Sequence, residues 1–236
     1  MTDLLTVRDL DVRYGPIHAV RAIAFAVPAG RATALVGANG AGKSTTLLAA
    51  ASALPREARV SGSVTLAAGC TPSMVPERDK IFGLLTVAEN LTAADRQRAK
   101  GTVRIDDVLG WFPRLAERRR SLAGNLSGGE QQMLAIGMAL IGSPSLLILD
   151  EPTLGLAVPI IERICETLVQ LRRKLDLTLL VAEAEPTWLP HLADDILVMT
   201  RGSIVETIRG SAGRHPDHIR NTILGLNTVT AGESRA

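Results

Sequence analysis

The sequence predicts an α/β fold with a mainly parallel core sheet, an N-terminal antiparallel β subdomain and an inserted α-helical subdomain. Three observations predict it. Short apolar runs, "ATALVG" (32–37), "LLILD" (146–150), "TLLVA" (178–182) and "DILVM" (195–199), alternate with stretches of helical periodicity, the pattern of helices crossing between parallel strands. The first thirty residues read instead as strands joined by tight turns. From about 86 to 125 the pattern is helical throughout.

Taken in order, "LLTVRDLDVRYG" (4–15) alternates and turns as an antiparallel pair would, and "AIAFAV" (22–27) is a further strand. "ATALVG" feeds a glycine-rich turn, after which a helix is expected from Lys43 to about Ala53. "GSVTL" (62–66) reads as a strand. The helical segment follows, with Trp111 and Phe112 as its largest apolar groups. Residues 131–149, "QQMLAIGMALIGSPSLLIL", carry no charge and approach membrane-spanning length. The turn "GSPS" (142–145) divides them into a helix and a buried strand, each too short to cross. A helix over about 158–174, the strands at 178–182 and 195–199, a turn at 201–202 and the strand "SIVET" (203–207) complete the chain. One domain is expected over 1–226, and a disordered tail over 227–236.

Composition narrows the class. Hydrophobic residues make up 46% of the 236 and charged residues 21%, enough to bury a core, which excludes a disordered chain. The net charge of +2 comes from interspersed signs, so no nucleic-acid partner is expected. The cluster of Arg114, Arg118, Arg119 and Arg120 reads as a solvated helix face. Cys70 and Cys165 have no metal spacing, which suits a reduced compartment. "MTDLLTVRDL" lacks the basic and apolar regions of a signal peptide. The expectation is a soluble chain that reaches a membrane only through a partner.

"LVGANGAGKST" (35–45) carries the first chemistry. Gly37, Gly42, Lys43 and Ser44 fit G-x-x-x-x-G-K-[ST] between a strand and a helix, the context this P-loop motif requires. Glycines let the backbone wrap closely around phosphates, and successive N–H groups with the helix N-terminus form an anion nest. Asn39, Gly40 and Ala41 lie within the turn and Thr45 follows it. Lys43 would reach the β- and γ-phosphates, and the Ser44 hydroxyl would join the shell of Mg²⁺. "LLILDE" ends a buried strand in two acids, at the sheet edge where ligands bind. Asp150 would contact the metal, while Glu151 would orient and polarise the attacking water. A third element, "LSGGEQQ" (126–132), opens a helix with Ser127, Gly128 and Gly129, a second anion site at a helix N-terminus.

Two phosphate-binding loops flanking a helical insertion resemble the ATP-binding-cassette (ABC) ATPases over residues 4 to about 226. In that family two cassettes pack head to tail around ATP. The resemblance implies that Ser127, Gly128 and Gly129 touch the γ-phosphate held by the partner cassette, and that Tyr14, the only tyrosine, stacks on adenine. The runs 75–91, 111–137 and 150–164 are similar to the second ATP-binding subunit of branched-chain amino-acid importers; urea and short-chain amide importers share them. Glu77 stands where most cassettes have glutamine and would sense the γ-phosphate through Mg²⁺ or water. The resemblance implies two transmembrane permease subunits, a sister cassette or a second copy of this chain, an extracytoplasmic solute-binding protein acting indirectly, and a place on the cytoplasmic face of the cell membrane.

The chain departs from the family's pattern at several points. The segment between "SGSVTLAAG" and "MVPERD" is short, Met138 stands at a position usually arginine, and Ala157 at one often aspartate. Ala184 occupies the position from which most cassettes aim a histidine at the γ-phosphate; the nearest histidine, His191, is expected on the following helix, facing away. Three readings follow: an importer ATPase, a subunit with a weakened site of its own that supports a stronger sister, and a soluble cassette machine. The third usually needs two fused cassettes or a long coiled-coil insertion, and this sequence has neither.

Overall fold

The computed structural model describes residues 2–97, 102–210 and 215–226. Asp3–Tyr14 (β1) buries Leu5, Val7, Leu10 and Val12. This period-two pattern slips once, at Asp9, whose φ is 49°. The antiparallel pair expected inside residues 4–15 is therefore one continuous strand with a bulge. An extra residue opposite Gly62 absorbs the irregularity, and a Cβ on that glycine would meet the Asp9 carbonyl oxygen at 2.2 Å. The antiparallel partners of β1 are β2 (Ile17–Pro28) and, across the sheet, β4 (Ala58–Leu66), in the order β2-β1-β4.

The second sheet begins with β3 (Ala32–Val36), which is wholly buried and leads into α1 (Lys43–Ala50). The helix stops before the expected Ala53 because Ser52 turns left-handed at φ 55° and the Ala53 N–H closes back on the Leu48 carbonyl. β5 (Pro72–Val75) has no counterpart in the sequence reading, since four residues lie below the length at which alternation is legible. The expected helical segment comprises α2 (Val87–Gln97), α3 (Ile105–Trp111) and α4 (Pro113–Glu117). Phe112 is buried between the last two, and Lys174 lies 5.7 Å from the centre of the Trp111 ring. Then come α5 (Gly128–Leu140), β6 (Leu146–Asp150), α6 (Val158–Leu175), β7 (Thr178–Glu183), α7 (Leu189–Leu192), β8 (Asp195–Thr200), β9 (Ser203–Arg209) and α8 (Pro216–Ile223).

The sheet order is β5-β6-β7-β3-β8-β9, parallel except for the β8–β9 hairpin. Alternate residues of the central strands serve two cores. Leu146 and Ile148 of β6 face a layer shared with Leu47 of α1 and with Leu5, Val7 and Leu10 of β1, so α1 lies between the two sheets. Leu147 and Leu149 face the opposite layer, filled by Leu91 of α2, Leu134 of α5 and Leu168 of α6. Among the described residues no helix is long and apolar enough to cross a membrane. The expected tail, 227–236, lies outside the described residues.

Candidate nucleotide-binding site

The loop between β3 and α1 is shaped by two steric demands. A Cβ on Gly37 would meet the Met199 carbonyl oxygen at 2.2 Å, and one on Gly42, whose φ is 102°, would meet that of Ala19 at 2.4 Å. Glycine is therefore required at both ends of the turn. Ala38, Asn39 and Gly40 stand exposed at its crest, and Ala41 is buried beneath. Tyr14, at the end of β1, lines a cavity of about 300 Å³ together with Ile17, His18, Ala19, Gly40, Gly42, Lys43, Ser44 and Thr45. The aromatic ring and the phosphate-type loop predicted from sequence thus share one cavity. His18, also in that wall, is held by Asp11 at 2.5 Å and was not singled out from sequence.

Asp150 and Glu151 arrive at the same place because β6 lies beside β7, which lies beside β3. The Ser44 hydroxyl donates to Asp150 Oδ1 at 3.1 Å. Lys43 Nζ donates to the carbonyl oxygens of Gly37 (2.8 Å) and Ala38 (3.3 Å) and pairs with Glu151 Oε1 at 3.1 Å. Burial pushes the Asp150 carboxyl above its ordinary value; the Ser44 hydrogen bond opposes this, the negative Glu151 and Glu77 add to it, and Lys43 opposes it. Glu77 follows β5 in the chain, is half-buried, and accepts from Arg78 Nε at 3.1 Å. The neighbouring Lys80 hydrogen-bonds Gln132 of α5, which ties the Glu77 loop to that helix.

Ser127 caps α5: its Oγ accepts from the Glu130 N–H at 3.3 Å, and its own N–H donates to Glu130 Oε2 at 2.9 Å. Ser127 and Gly128 are exposed, whereas Gly129 is buried, and a Cβ there would lie 2.5 Å from Ile160 Cγ2. Gly129 thus also has a packing reason to be glycine, which the motif alone does not reveal.

Ala184 follows directly on β7, whose last residue, Glu183, is paired with Val36 at the mouth of the glycine-rich loop. His191 is exposed on α7. Glu183 carried no role in the sequence reading. In the fold its side chain is buried and its Oε1 accepts from both the N–H (3.1 Å) and the hydroxyl (2.8 Å) of Thr153, while Trp188 Nε1 donates to the same hydroxyl at 3.1 Å. The acidic end of an otherwise apolar strand was the available signal; its partner Thr153, thirty residues away, and the link from Thr153 to Trp188, thirty-five residues apart, were not.

A parallel sheet that brings two strand-end acids against the lysine and the hydroxyl of a glycine-rich loop defines a P-loop nucleotide hydrolase. The family model described as ABC transporter matches residues 20–154. BraG of Pseudomonas aeruginosa, a high-affinity branched-chain amino acid transport ATP-binding protein, is 40% identical over 233 residues, covering 94% of this chain and 100% of its own. LivF of Archaeoglobus fulgidus, a probable branched-chain amino acid transport ATP-binding protein, is 33% identical over 225 residues, covering 89% and 92%. The solved structure of a nucleotide-free ATP-binding cassette from an ABC transporter shares the fold, with a TM-score of 0.77 at 21% identity over 95% of this chain and 96% of that one. The chain belongs to the ABC transporter family and is one of its ATP-hydrolysing, ATP-binding subunits.

Proposed function

We propose that this chain energises an ABC importer that takes up branched-chain amino acids or a related small polar solute. The observation that carries the ATPase part is the pairing of Asp150 with Ser44 and of Glu151 with Lys43, the lysine and hydroxyl that line the cavity walled by Tyr14. The solute class rests on the names of BraG and LivF, each matched along nearly its whole length. Adenine stacks on Tyr14, and the backbone from Gly37 to Thr45 cradles the phosphates. Lys43 exchanges its carbonyl partners for β/γ oxygens, and Glu151 polarises the attacking water.

Ser44 and Asp150 would hold Mg²⁺. Their hydroxyl and carboxylate are 3.1 Å apart, and the buried Asp150 has two further acids near it. Among the described residues no cluster of three or more His, Cys, Asp or Glu is arranged to hold a metal alone, which suits an ion that takes its remaining ligands from phosphate and water. Bound there, Mg²⁺ would neutralise charge on the β- and γ-phosphates.

Two surfaces support the partners. Ser127 and Gly128 stand exposed with Leu156 packed against Gly128, and Leu154 and Val158 are exposed along the same segment. This face fits a sister cassette, or a second copy, bringing its own nucleotide. Phe82, Leu84, Leu85 and Leu122 are exposed apolar groups where the Glu77 loop meets the helical insertion, and this patch fits a permease on the cytoplasmic face of the membrane. We read residues 1–226 as one cassette with the helical part at about 86–125 as its lever. Closure on ATP then pushes two permeases, which receive solute from an extracytoplasmic binding protein. Membrane vesicles holding the chain with its copurified permeases and sister subunit test this. ATP-dependent uptake of labelled leucine is expected, and hydrolysis without uptake of any branched-chain or amide solute overturns the importer assignment.

A second reading is favoured by Ala184. With no side-chain donor at the end of β7, this chain's own site hydrolyses slowly, while its intact Ser127 loop serves the sister's site. Losing one such donor costs about a hundredfold in rate. Single-turnover hydrolysis by the chain alone and by the mixed pair separates the two readings.

A further inference from the structure

We propose that Glu183 is a positioning residue for hydrolysis: its side chain holds Thr153 and its main chain holds Gly37, which fixes the loop carrying Glu151 relative to the loop that grips nucleotide. This rests on the ATPase reading above and extends it to a residue outside the phosphate-binding motifs.

The contacts close a ring. The Glu183 carbonyl oxygen accepts from the Gly37 N–H at 3.2 Å, and the Gly37 carbonyl accepts from Lys43 Nζ at 2.8 Å. Lys43 pairs with Glu151, and Glu151 leads through Pro152 to Thr153, which returns to Glu183 by two hydrogen bonds. The Thr153 hydroxyl donates to Glu183 and accepts from the Trp188 indole, so the end of β7 and the turn after it grip Thr153 from two sides. Glu183, Thr153 and Trp188 are 3%, 6% and 8% exposed, so water does not replace these bonds cheaply.

Glu151 needs such support. Its φ of 45° is left-handed, a conformation that a side-chain-bearing residue keeps only where its surroundings over-determine it. On one side its N–H donates to the Ala182 carbonyl (2.9 Å), and on the other its carbonyl accepts from the Leu154 N–H (3.2 Å). Thr153 is the next anchored side chain, and Glu183 is its anchor. Burial pushes the Glu183 carboxyl up to about 7, so near neutral pH it can hold Thr153 without adding a full negative charge beside Glu151.

The test uses the full-length protein carrying Glu183→Val, Thr153→Val or Glu183→Gln. Single-turnover hydrolysis, ATP affinity and Tm are measured on each. The two valine variants are expected to lose about tenfold or more in rate with ATP affinity held within about threefold, because displacing a catalytic group by a fraction of an ångström costs rate before it costs binding. Glu183→Gln keeps an oxygen that accepts the same two bonds and is expected to retain most of the rate. Joining the two valine changes should cost no more than the larger single change, since both break one linkage. Wild-type rates in both valine variants overturn the proposal. So does a rate loss that follows the folded fraction alone, or a glutamine variant as slow as valine. Should Glu183→Val not fold, Thr153→Val and Trp188→Phe read the same linkage. A wild-type protein that does not hydrolyse ATP at all is instead the failure of the ATPase reading, seen before any variant is compared.

Discussion

Lys43 Nζ lies 3.1 Å from Glu151 Oε1, with both side chains almost wholly buried. The lysine that would meet the β/γ-phosphates and the acid that would polarise water thus neutralise one another. Two buried charges of opposite sign are tolerated together, whereas removing either leaves the other uncompensated.

Lys43→Ala is expected to abolish ATP binding, since it removes the mobile cation facing the β/γ oxygens. It also strands Glu151 in the interior, and one unpaired buried charge costs about 3–5 kcal/mol, so Tm should fall as well. Filter binding together with calorimetry measures both effects. Unchanged nucleotide affinity in a folded protein would count against the site as described.

Glu151→Gln keeps the shape of the acid but removes its charge, which both stops the polarisation of water and releases Lys43. ATP should bind at least as tightly as to the wild type, hydrolysis should fall by about a hundredfold or more, and the dimer should stay closed. Sedimentation with the sister subunit supplied checks the last point. No ATP-dependent association would sink it.

Ala184→His restores a donor at the end of β7, directly after the residue paired with Val36. The chain's own slow hydrolysis should rise by about tenfold to a hundredfold. In the mixed dimer, Ser127→Arg should do more damage than Glu151→Gln, because the exposed Ser127 loop serves the partner's stronger site. An isolated chain that already turns over as fast as the mixed complex refutes this asymmetry, as does an Ala184→His protein with an unchanged rate.

The Glu183 carboxyl is pushed up to about 7 by burial, against the pull of the two Thr153 hydrogen bonds; Glu151 raises it further and Lys43 lowers it. Its charge also bears on the buried Cys165 thiol. A carboxyl raised in the folded state binds its proton more tightly there than in the unfolded chain. Its contribution to stability is therefore complete below the unfolded value of 4.5 and is lost as pH rises through 7. Glu183→Gln does not titrate, so between pH 5 and pH 8 its stability should gain on the wild type by roughly 3 kcal/mol. Urea unfolding of both proteins at the two pH values measures this, and an equal difference at both would show that the carboxyl is not buried as described.

What the sequence determined by itself is local. The loop 37–44 announces its phosphate chemistry because nest, lysine and hydroxyl lie within eight consecutive residues, and Asp150 and Glu151 announce theirs because four apolar residues bring them to a strand end. The cap at Ser127 is legible because Glu130 stands three residues on. Tertiary structure decided everything that depends on pairing at a distance. Residues 4–15 alternate equally well as a hairpin or as one strand, and the bulge opposite Gly62 selects the strand. The order β6-β7-β3 places Glu151 against Lys43 and Glu183 against Gly37. Gly129 reads as a ligand-binding glycine until Ile160 is seen against it. The grip of Glu183 and Trp188 on Thr153 spans thirty and thirty-five residues. No periodicity encodes such a contact, because it arises only when the sheet closes and a buried hydroxyl must find both a donor and an acceptor.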